Sequence, residues 1–256
     1  SGQLPAQTPE FGPECFVQAG GVDIQVPGYS APSLADWNGD GLQDLIIGEG
    51  GGGYSGKGRV YLNVGTKAEP QFRDYVYAQS GISDLTCAPI GCMGCFPRVV
   101  DWDQDGRIDL LIGQADGTVR IFMNSGIEGT PIFNIGQAII TANGAGSVDL
   151  DVGDRATPML IDWNNDGALD LISGGLDGKL HYYRNCGCEG TVPPRFLQSP
   201  FAGQIIQLNG QDLSVPSGRS SPVVADLDGD GKKDVLTGNT DGQILFYRNV
   251  GSNSDP

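Results

Sequence analysis

Short apolar runs separated by Gly, Pro, Asn and Asp recur along the whole 256-residue chain. The runs are about 4–7 residues long, are rich in β-branched and aromatic residues, and show no helical spacing. An Asp-Gly pair between two such runs predicts a hairpin, and this occurs at Asp116-Gly117, Asp177-Gly178 and Asp241-Gly242. The pattern therefore predicts an all-β protein built from short antiparallel strands.

Four copies of one nine-residue segment divide the chain into similar units. They begin at Asp36, Asp101, Asp162 and Asp226, at spacings of 65, 61 and 64 residues, and read DWNGDGLQD, DWDQDGRID, DWNNDGALD and DLDGDGKKD. An apolar strand with a Pro precedes each segment, and a second strand ending near Gly follows it. A third strand ends in Asn-x-Gly, and a fourth opens with Pro-x-Phe. Units of this size with four strands are typical of propeller blades.

The repeat predicts one β-propeller domain over residues 1–256, with four four-stranded blades and an N-terminal tail over 1–8. The blades are expected at about 28–85, 96–152, 157–215 and 220–250. The last of these lacks a fourth strand, whereas residues 11–26 have the pattern of one. We therefore expect residues 11–26 to join the C-terminal blade and close the ring, which would protect the open sheet edges.

The nine-residue segments have the ligand pattern of a calcium loop. Positions 1, 3, 5 and 9 are always Asp or Asn, position 6 is always Gly, and position 7 can add a main-chain carbonyl. Hard oxygen ligands without His or Cys favour Ca²⁺ over transition metals, and Mg²⁺ requires a more compact geometry. The predicted ligands are Asp36, Asn38, Asp40, Leu42, Asp44, Asp101, Asp103, Asp105, Arg107, Asp109, Asp162, Asn164, Asp166, Ala168, Asp170, Asp226, Asp228, Asp230, Lys232 and Asp234.

We expect about four Ca²⁺ ions, one in each repeat, with a structural role. The sites repeat along the chain, whereas a catalytic metal needs an open position and is normally unique. Asn38 and Asn164 leave the first and third loops with one negative charge fewer, so binding there should be weaker. The alternative is an Asp-rich turn without an ion, but so many acids close together repel one another unless a cation is present.

The pattern P-x-h-x-D-h-[DN]-x-D-G-x-x-D-h-h-x-G, in which h is apolar, resembles the FG-GAP/VCBS repeat family over roughly residues 9–251. The resemblance implies a β-propeller with Ca²⁺ in the loop between the first two strands of each blade, held by the residues named above. Integrin-type propellers of this family are similar to seven-bladed rings, whereas this chain has four units. We expect a compact four-bladed ring, and two chains forming an eight-bladed ring are the alternative.

Position 2 of the first three segments is Trp37, Trp102 or Trp163, and Leu227 takes its place in the fourth. A residue that recurs with the repeat is more often part of the scaffold than of a unique site. We therefore expect these side chains to pack between neighbouring blades, and a sugar-binding platform is the alternative.

Two insertions interrupt the repeat, and we expect a ligand to bind there. Residues 49–58 replace a short turn, and residues 81–97 replace the connection between the first two blades. In a propeller both connections emerge on one face, opposite the Asp loops. The candidate ligand-binding residues are Tyr54, Lys57, Asp84 and Met93.

The cysteines and the N-terminus indicate an exported protein. Six cysteines predict disulfides and an oxidising compartment. The disulfide candidates are Cys15, Cys87, Cys92, Cys95, Cys186 and Cys188. Cys15 with Cys186 or Cys188 is one expected pair, and a leftover thiol on each face would permit cross-links between subunits. Because the chain begins at Ser1 without a leader-like segment, we expect a mature protein that is secreted or held at the cell surface.

Composition and charge narrow the choice of function. The net charge of −16 disfavours nucleic acid, and no apolar run is long enough to be a transmembrane segment. His181, the only histidine, is expected to face outward, and the chain has no familiar catalytic motif, so we expect no enzyme. The favoured prediction is a secreted, calcium-binding, non-catalytic binding or adhesion module for a carbohydrate or an extracellular protein.

Two alternatives remain open at this point. The first is a structural subunit that self-assembles into an extracellular filament or surface assembly, through strand exchange or disulfides between subunits. The second is the propeller domain of a carbohydrate-active enzyme.

Overall fold

The computed structural model describes residues 13, 15–50, 56–87, 95–127, 129–142, 147–185, 194, 196–197 and 203–252. These residues form strands, turns and loops. Within these ranges there is no helix with the length and apolar character needed to cross a membrane.

The strands are short and coincide with the apolar runs of the sequence. In chain order they are β1 (Gln18–Ala19), β2 (Val22–Asp23), β3 (Ser30–Ala35), β4 (Asp44–Glu49), β5 (Gly58–Tyr61), β6 (Val76–Tyr77), β7 (Gln79–Ser80), β8 (Ser83–Asp84), β9 (Phe96–Val100), β10 (Asp109–Gly113), β11 (Val119–Phe122), β12 (Gln137–Ala138), β13 (Ile140–Ala142), β14 (Ser147–Asp149), β15 (Thr157–Ile161), β16 (Asp170–Gly174), β17 (Leu180–Tyr183), β18 (Phe196–Leu197), β19 (Gln204–Ile205), β20 (Gln207–Leu208), β21 (Gln211–Asp212), β22 (Ser221–Ala225), β23 (Asp234–Gly238) and β24 (Ile244–Tyr247).

Four small antiparallel sheets form a four-bladed β-propeller, which confirms the predicted fold class. The first three blades have four strands each, in the orders β3-β4-β5-β6, β9-β10-β11-β12 and β15-β16-β17-β19. The described part of the fourth blade has three, in the order β22-β23-β24. Successive blades contact one another through their first strands, β3 with β9, β9 with β15 and β15 with β22. Each Asp loop connects the first two strands of its blade.

Small hairpins link each blade to the next, and the sequence reasoning missed them. The hairpin β7–β8 follows the first blade, and its Ser80 pairs in parallel with Phe133 of the second blade. In the same way β13 pairs in parallel with β18, where Thr141 lies opposite Phe196 of the third blade. Phe133 and Phe196 come from the Pro-x-Phe motif, and both are buried. This motif therefore anchors the hairpin of the preceding blade.

The N-terminal segment does not complete the fourth blade in the described part of the chain, contrary to the closure predicted for residues 11–26. Instead, β1 and β2 form a hairpin on the first blade, where Ala19 pairs with Phe72 and the Gly20 N–H donates to the Phe72 carbonyl at 2.9 Å. The physical reason is apolar burial, because Ala19, Ile24 and Val26 pack against a cluster of buried apolar side chains on the first blade. Residues 15–17 are exposed, and residues 1–12 and 14 lie outside the description.

The core consists of apolar layers between successive blades. Trp37 packs against Phe133 of the next blade with the ring centroids 5.5 Å apart, and Trp102 packs against Phe196 at 6.2 Å. Trp163 is buried in the layer between the third and fourth blades. The structure thus confirms that these tryptophans pack between blades.

The glycine that ends the second strand of the first three blades allows a close approach of the next blade. A Cβ at Gly48, Gly113 or Gly174 would lie only 2.0, 2.0 or 2.2 Å from a main-chain carbonyl oxygen of the following blade, that of Cys95, Ala156 or Ser220. At Gly238 of the fourth blade the nearest atom is the Gln243 carbonyl oxygen of the same hairpin, 4.0 Å away. Gly238 therefore has the free space that the other three lack.

A disulfide joins Cys87 to Cys95 across the second insertion. Their Cα atoms are 5.7 Å apart, and both residues are buried. Cys15 is exposed and unpaired within the described part of the chain, so the pairing expected for it is not observed there. The other candidates, Cys92, Cys186 and Cys188, lie outside the described residues.

Replacement of Gly113 by Ala should destabilise the fold, because its Cβ would collide with the main chain of the next blade. We expect Gly113→Ala to lower the free energy of unfolding by about 1–3 kcal/mol, the usual cost of overpacking. Gly58→Ala is the matched control, since its Cβ would meet the Ala78 side chain at an ordinary 3.8 Å. Urea titration of both variants measures the difference, and equal stabilities would contradict the close approach.

Candidate functional site

A buried aspartate at position 9 closes each Asp loop. Asp44 accepts the Trp37 N–H on Oδ2 at 2.8 Å and the Asn63 N–H on Oδ1 at 2.7 Å. The same two hydrogen bonds recur in the other loops, on Asp109, Asp170 and Asp234. All four of these aspartates are buried. Position 9 therefore ties the Asp loop to the end of the third strand.

The asparagine of Asn-x-Gly is the other half of this connection. Asn63 Oδ1 accepts the N–H groups of Gly65 and Gln71 at 2.9 and 3.0 Å, and Asn124 makes the equivalent bonds in the second blade. The sequence shows this Asn in every repeat but does not reveal its role. The available signal is its constant spacing, 15 residues after position 9 in three of the repeats.

Burial raises the pKa of Asp44, Asp109 and Asp170, although the two main-chain hydrogen bonds to each carboxyl oppose the shift. Neighbouring loop carboxylates raise it further. A buried acid with a raised pKa holds its negative charge unfavourably, and a nearby cation would relieve this. The excess of negative charge in these loops is therefore consistent with a bound cation.

The second and fourth loops bring three carboxylates together. Oxygens of Asp101, Asp103 and Asp109 lie within 4.8 Å of one another, and so do those of Asp226, Asp228 and Asp234. Asp103 Oδ1 is buried and accepts no hydrogen bond in the described structure. Because an unpaired buried acceptor is costly, this oxygen fits a metal ligand. The donor set consists of hard oxygens, as Ca²⁺ prefers.

The first and third loops differ because Asn occupies position 3. Asn38 Nδ2 donates to Asp40 Oδ2 at 2.9 Å, and Asn164 Nδ2 donates to Asp166 Oδ2 at the same distance. The amide thus occupies an acid oxygen that a cation would otherwise use. These two loops therefore fit a cation less well than the second and fourth.

Arginine side chains cover three of the loops, which the sequence reasoning did not anticipate. Arg107 pairs with Asp105, Arg184 with Asp166 at 2.9 Å, and Arg248 with both Asp228 and Asp230, at 2.6 and 3.2 Å. A bound cation would compete with these guanidinium groups for the same oxygens. At position 7, the N–H groups donate to the position-5 carboxylate in every loop, from Leu42, Arg107, Ala168 and Lys232.

The described parts of the two insertions lie together, as predicted. The Lys57 ammonium pairs with Asp84 Oδ2 at 2.8 Å, and the Cys87 N–H donates to the Gly56 carbonyl at 2.9 Å. The hydrogen bond from Lys57 lowers the pKa of Asp84, so its carboxylate stays charged. The structure therefore brings together two of the four candidate ligand-binding residues. Tyr54 and Met93 lie outside the described residues.

A cavity of about 360 Å³ lies beside Asp84, between the hairpin β7–β8 and the second blade. Its lining is mostly polar and consists of Ser80, Ser83, Asp84, Thr86, Gln114, Arg120, Phe122, Ile135 and Gly136. Arg120 donates to Gln114 Oε1 at 3.3 Å and to the Gly136 carbonyl at 3.2 Å, and it pairs with no described carboxylate. Among the described residues Arg120 therefore forms no ion pair, and the carboxylate that shares the cavity, that of Asp84, is paired with Lys57.

The first blade shows how the equivalent position is filled there. Arg59 occupies the position in β5 that Arg120 occupies in β11. The Arg59 side chain pairs with Glu49 at 2.5 Å and lies 4.2 Å from the centre of the Tyr75 ring. In the second blade the neutral Gln114 takes the place of Glu49, and Gly136, which has no side chain, takes the place of Tyr75. Two substitutions relative to the first blade thus open the cavity.

His181 is half-buried rather than facing outward as expected. Its Nε2 lies 3.2 Å from Asp177 Oδ2, and burial lowers its pKa, although Asp177 opposes the shift. The sequence alternation placed it on the outer side of β17, but the neighbouring turn covers it.

Comparison with known proteins identifies the repeat. Residues 162–237 match the FG-GAP-like repeat, and residues 28–62 match the FG-GAP repeat. No curated protein matches the chain in sequence. Among solved structures, a chain of the Tc holotoxin pore of Photorhabdus luminescens is similar, with a TM-score of 0.41 and 20% identity. The similarity covers 85% of this chain and 9% of that chain.

Replacement of Asp109 by Asn should destabilise the second blade even without any metal. An amide has one acceptor oxygen, so the N–H of Trp102 or of Asn124 loses its partner. We expect the free energy of unfolding to fall by about 1–3 kcal/mol in the presence of a chelator. The exposed Asp154→Asn is the control, and an equal, small effect of both substitutions on urea denaturation would contradict the role assigned to Asp109.

Proposed function

We propose that this chain, which belongs to the FG-GAP repeat family, is an extracellular, calcium-stabilised propeller that acts as a non-catalytic binding module. FG-GAP propellers are typically binding modules, and the repeats occur in extracellular proteins. The observation that carries the calcium assignment is the buried, unpaired Asp103 Oδ1 within a cluster of three carboxylates.

Calcium would serve as a structural cross-link in each loop. Positions 1, 3, 5 and 9 offer side-chain oxygens, and position 9 is already bonded to the end of the third strand. An ion would therefore couple the loop to the body of the blade and neutralise the repelling carboxylates. The second and fourth loops support the tighter sites because position 3 is Asp.

Removal of calcium should lower the melting temperature. Each site adds about 2.7 kcal/mol when free calcium exceeds the dissociation constant a hundredfold, which corresponds to a shift of roughly 5–10 °C for a domain of this size. Differential scanning calorimetry with calcium, and with EDTA followed by excess calcium, measures the shift. An unchanged melting curve after complete chelation would contradict the calcium assignment.

A matched variant distinguishes the loss of a calcium ligand from damage to the loop itself. Asp103→Asn converts the second loop to the composition of the first and third, and isothermal titration calorimetry should then show weaker binding at one site. Its melting temperature in EDTA should equal that of the wild type or exceed it, because the unpaired buried carboxylate oxygen is gone. A variant that is equally destabilised in EDTA and in calcium would indicate a purely structural Asp103.

For the ligand, the cavity beside Asp84 supports an acidic saccharide. Ser80, Ser83 and Thr86 provide hydroxyl groups, and Arg120 provides a guanidinium suited to a carboxylate. Arg120 is the group that would attract an anion here, because Lys57 offsets the charge of Asp84, the acid that also lines the cavity. A uronic acid residue would satisfy both kinds of group.

Loss of the Arg120 charge should weaken this recognition. We expect Arg120→Gln to weaken binding to uronic-acid-containing oligosaccharides about 10–100-fold, the range for a charge-assisted hydrogen bond. Arg73→Gln removes the same charge from an exposed position away from the cavity and should leave binding unchanged. A glycan array followed by titration of a uronic acid oligosaccharide tests both, and equal binding by Arg120→Gln would refute the site.

A further inference from the structure

In the described part of the chain, one face of the fourth blade is apolar and exposed. We call it the forward face, meaning the face that in each of the first three blades packs against the following blade. On it, Ile244 is 78% exposed and Phe246 is 48% exposed. The residues in register with Ile244 on the second and third blades, Val119 and Leu180, are fully buried. The forward face therefore has the composition of a buried surface but not its environment.

Gly238 indicates what should cover this face. In the first three blades the equivalent glycine admits a carbonyl oxygen of the next blade, which leaves no room for a Cβ. The fourth blade also has a glycine here, Gly238, although a Cβ at this position would meet no atom of another segment within 4 Å in the described structure. The fourth blade is thus shaped to receive one more blade of the same kind.

The first blade carries the complementary surface. Leu34 is 60% exposed, whereas its equivalents Val99, Leu160 and Val224 pack in the layers between blades. Phe16 and Val17, which immediately precede β1 in the sequence, are also exposed. The described residues therefore include one uncovered forward face and one surface that matches it.

Within one chain the two surfaces meet only weakly. The Arg219 guanidinium lies 5.7 Å over the Tyr29 ring, which places the starts of β22 and β3 near each other. This contact leaves Ile244, Phe246 and the outer edge of β24 uncovered among the described residues.

We propose that the forward face of the fourth blade binds the first blade of a second copy of this chain, and that Cys15–Val17 of that copy adds to the edge of β24. An open edge strand beside an exposed apolar segment is the arrangement used in strand addition. The two surfaces differ, so the contact is head-to-tail and leaves a free surface at each end. Repetition of this contact builds an assembly of many copies, an open filament or a closed ring, which goes beyond the binding function proposed above.

Register predicts a cross-link that tests this contact. In the first three blades the last strand pairs so that Val76 lies opposite Val60 and Gln204 opposite Tyr182. The same register places Cys15 of the incoming copy opposite Phe246. We therefore expect the Phe246→Cys variant, mildly oxidised, to form a ladder of covalent oligomers on non-reducing gels. The double variant Phe246→Cys/Cys15→Ser should lose the ladder.

The alternatives give different results in the same experiment. A Cys15-dependent monomer of altered mobility would show that the chain closes its own ring and would overturn the proposal. Absence of any Cys15-dependent cross-link would also overturn it. Sedimentation of the uncross-linked protein provides the second measurement, since Ile244→Lys should shift oligomers to monomers without lowering the melting temperature. Ile82→Lys, a fully exposed residue on the hairpin β7–β8, should leave the oligomers intact.

Discussion

The fold depends on one buried carboxylate in each blade that accepts main-chain hydrogen bonds from two segments. Asp44 and its three equivalents bind the N–H of the residue at position 2 and the N–H of the Asn that ends the third strand. A carboxylate is needed because two acceptor oxygens must face two donors in a dry environment. Buried negative charge then calls for compensation, and the other acids of the loop provide a place for a cation to supply it. The fold and the proposed ion binding thus depend on the same residue.

This arrangement explains the acidity of the chain. Fourteen of its 25 Asp residues lie in the four nine-residue segments, whereas Glu occurs six times in all. The shorter side chain fits a loop in which position 1 already accepts the N–H groups of positions 5 and 6. Four divalent ions would add +8 and bring the formal charge from −16 to −8. With the proposed ions bound, the chain would therefore be much less acidic than its composition suggests.

The sequence was sufficient to predict the blades, the Asp loops and the packing of the tryptophans, because these features repeat and depend on local spacing. The hairpins were missed because β7 and β8 have two residues each, too few for a periodic pattern, and they are defined by a partner in the next blade. The closure of the fourth blade by residues 11–26 was inferred from strand counting, which cannot distinguish a strand from the hairpin that follows it. The cavity at Arg120 was missed because it arises from two substitutions, Gln114 and Gly136, whose effect appears only when the blades are compared in space.

The hairpin contacts also bear on when each part of the core can form during synthesis. Ser80 pairs with Phe133, and Thr141 pairs with Phe196, so both of these hairpins need a residue that is synthesised more than 50 positions later. A nascent blade therefore cannot bury its own connecting hairpin, and each layer of core is complete only after the following blade has emerged. During synthesis the second and third blades would thus each complete the core of the blade before them.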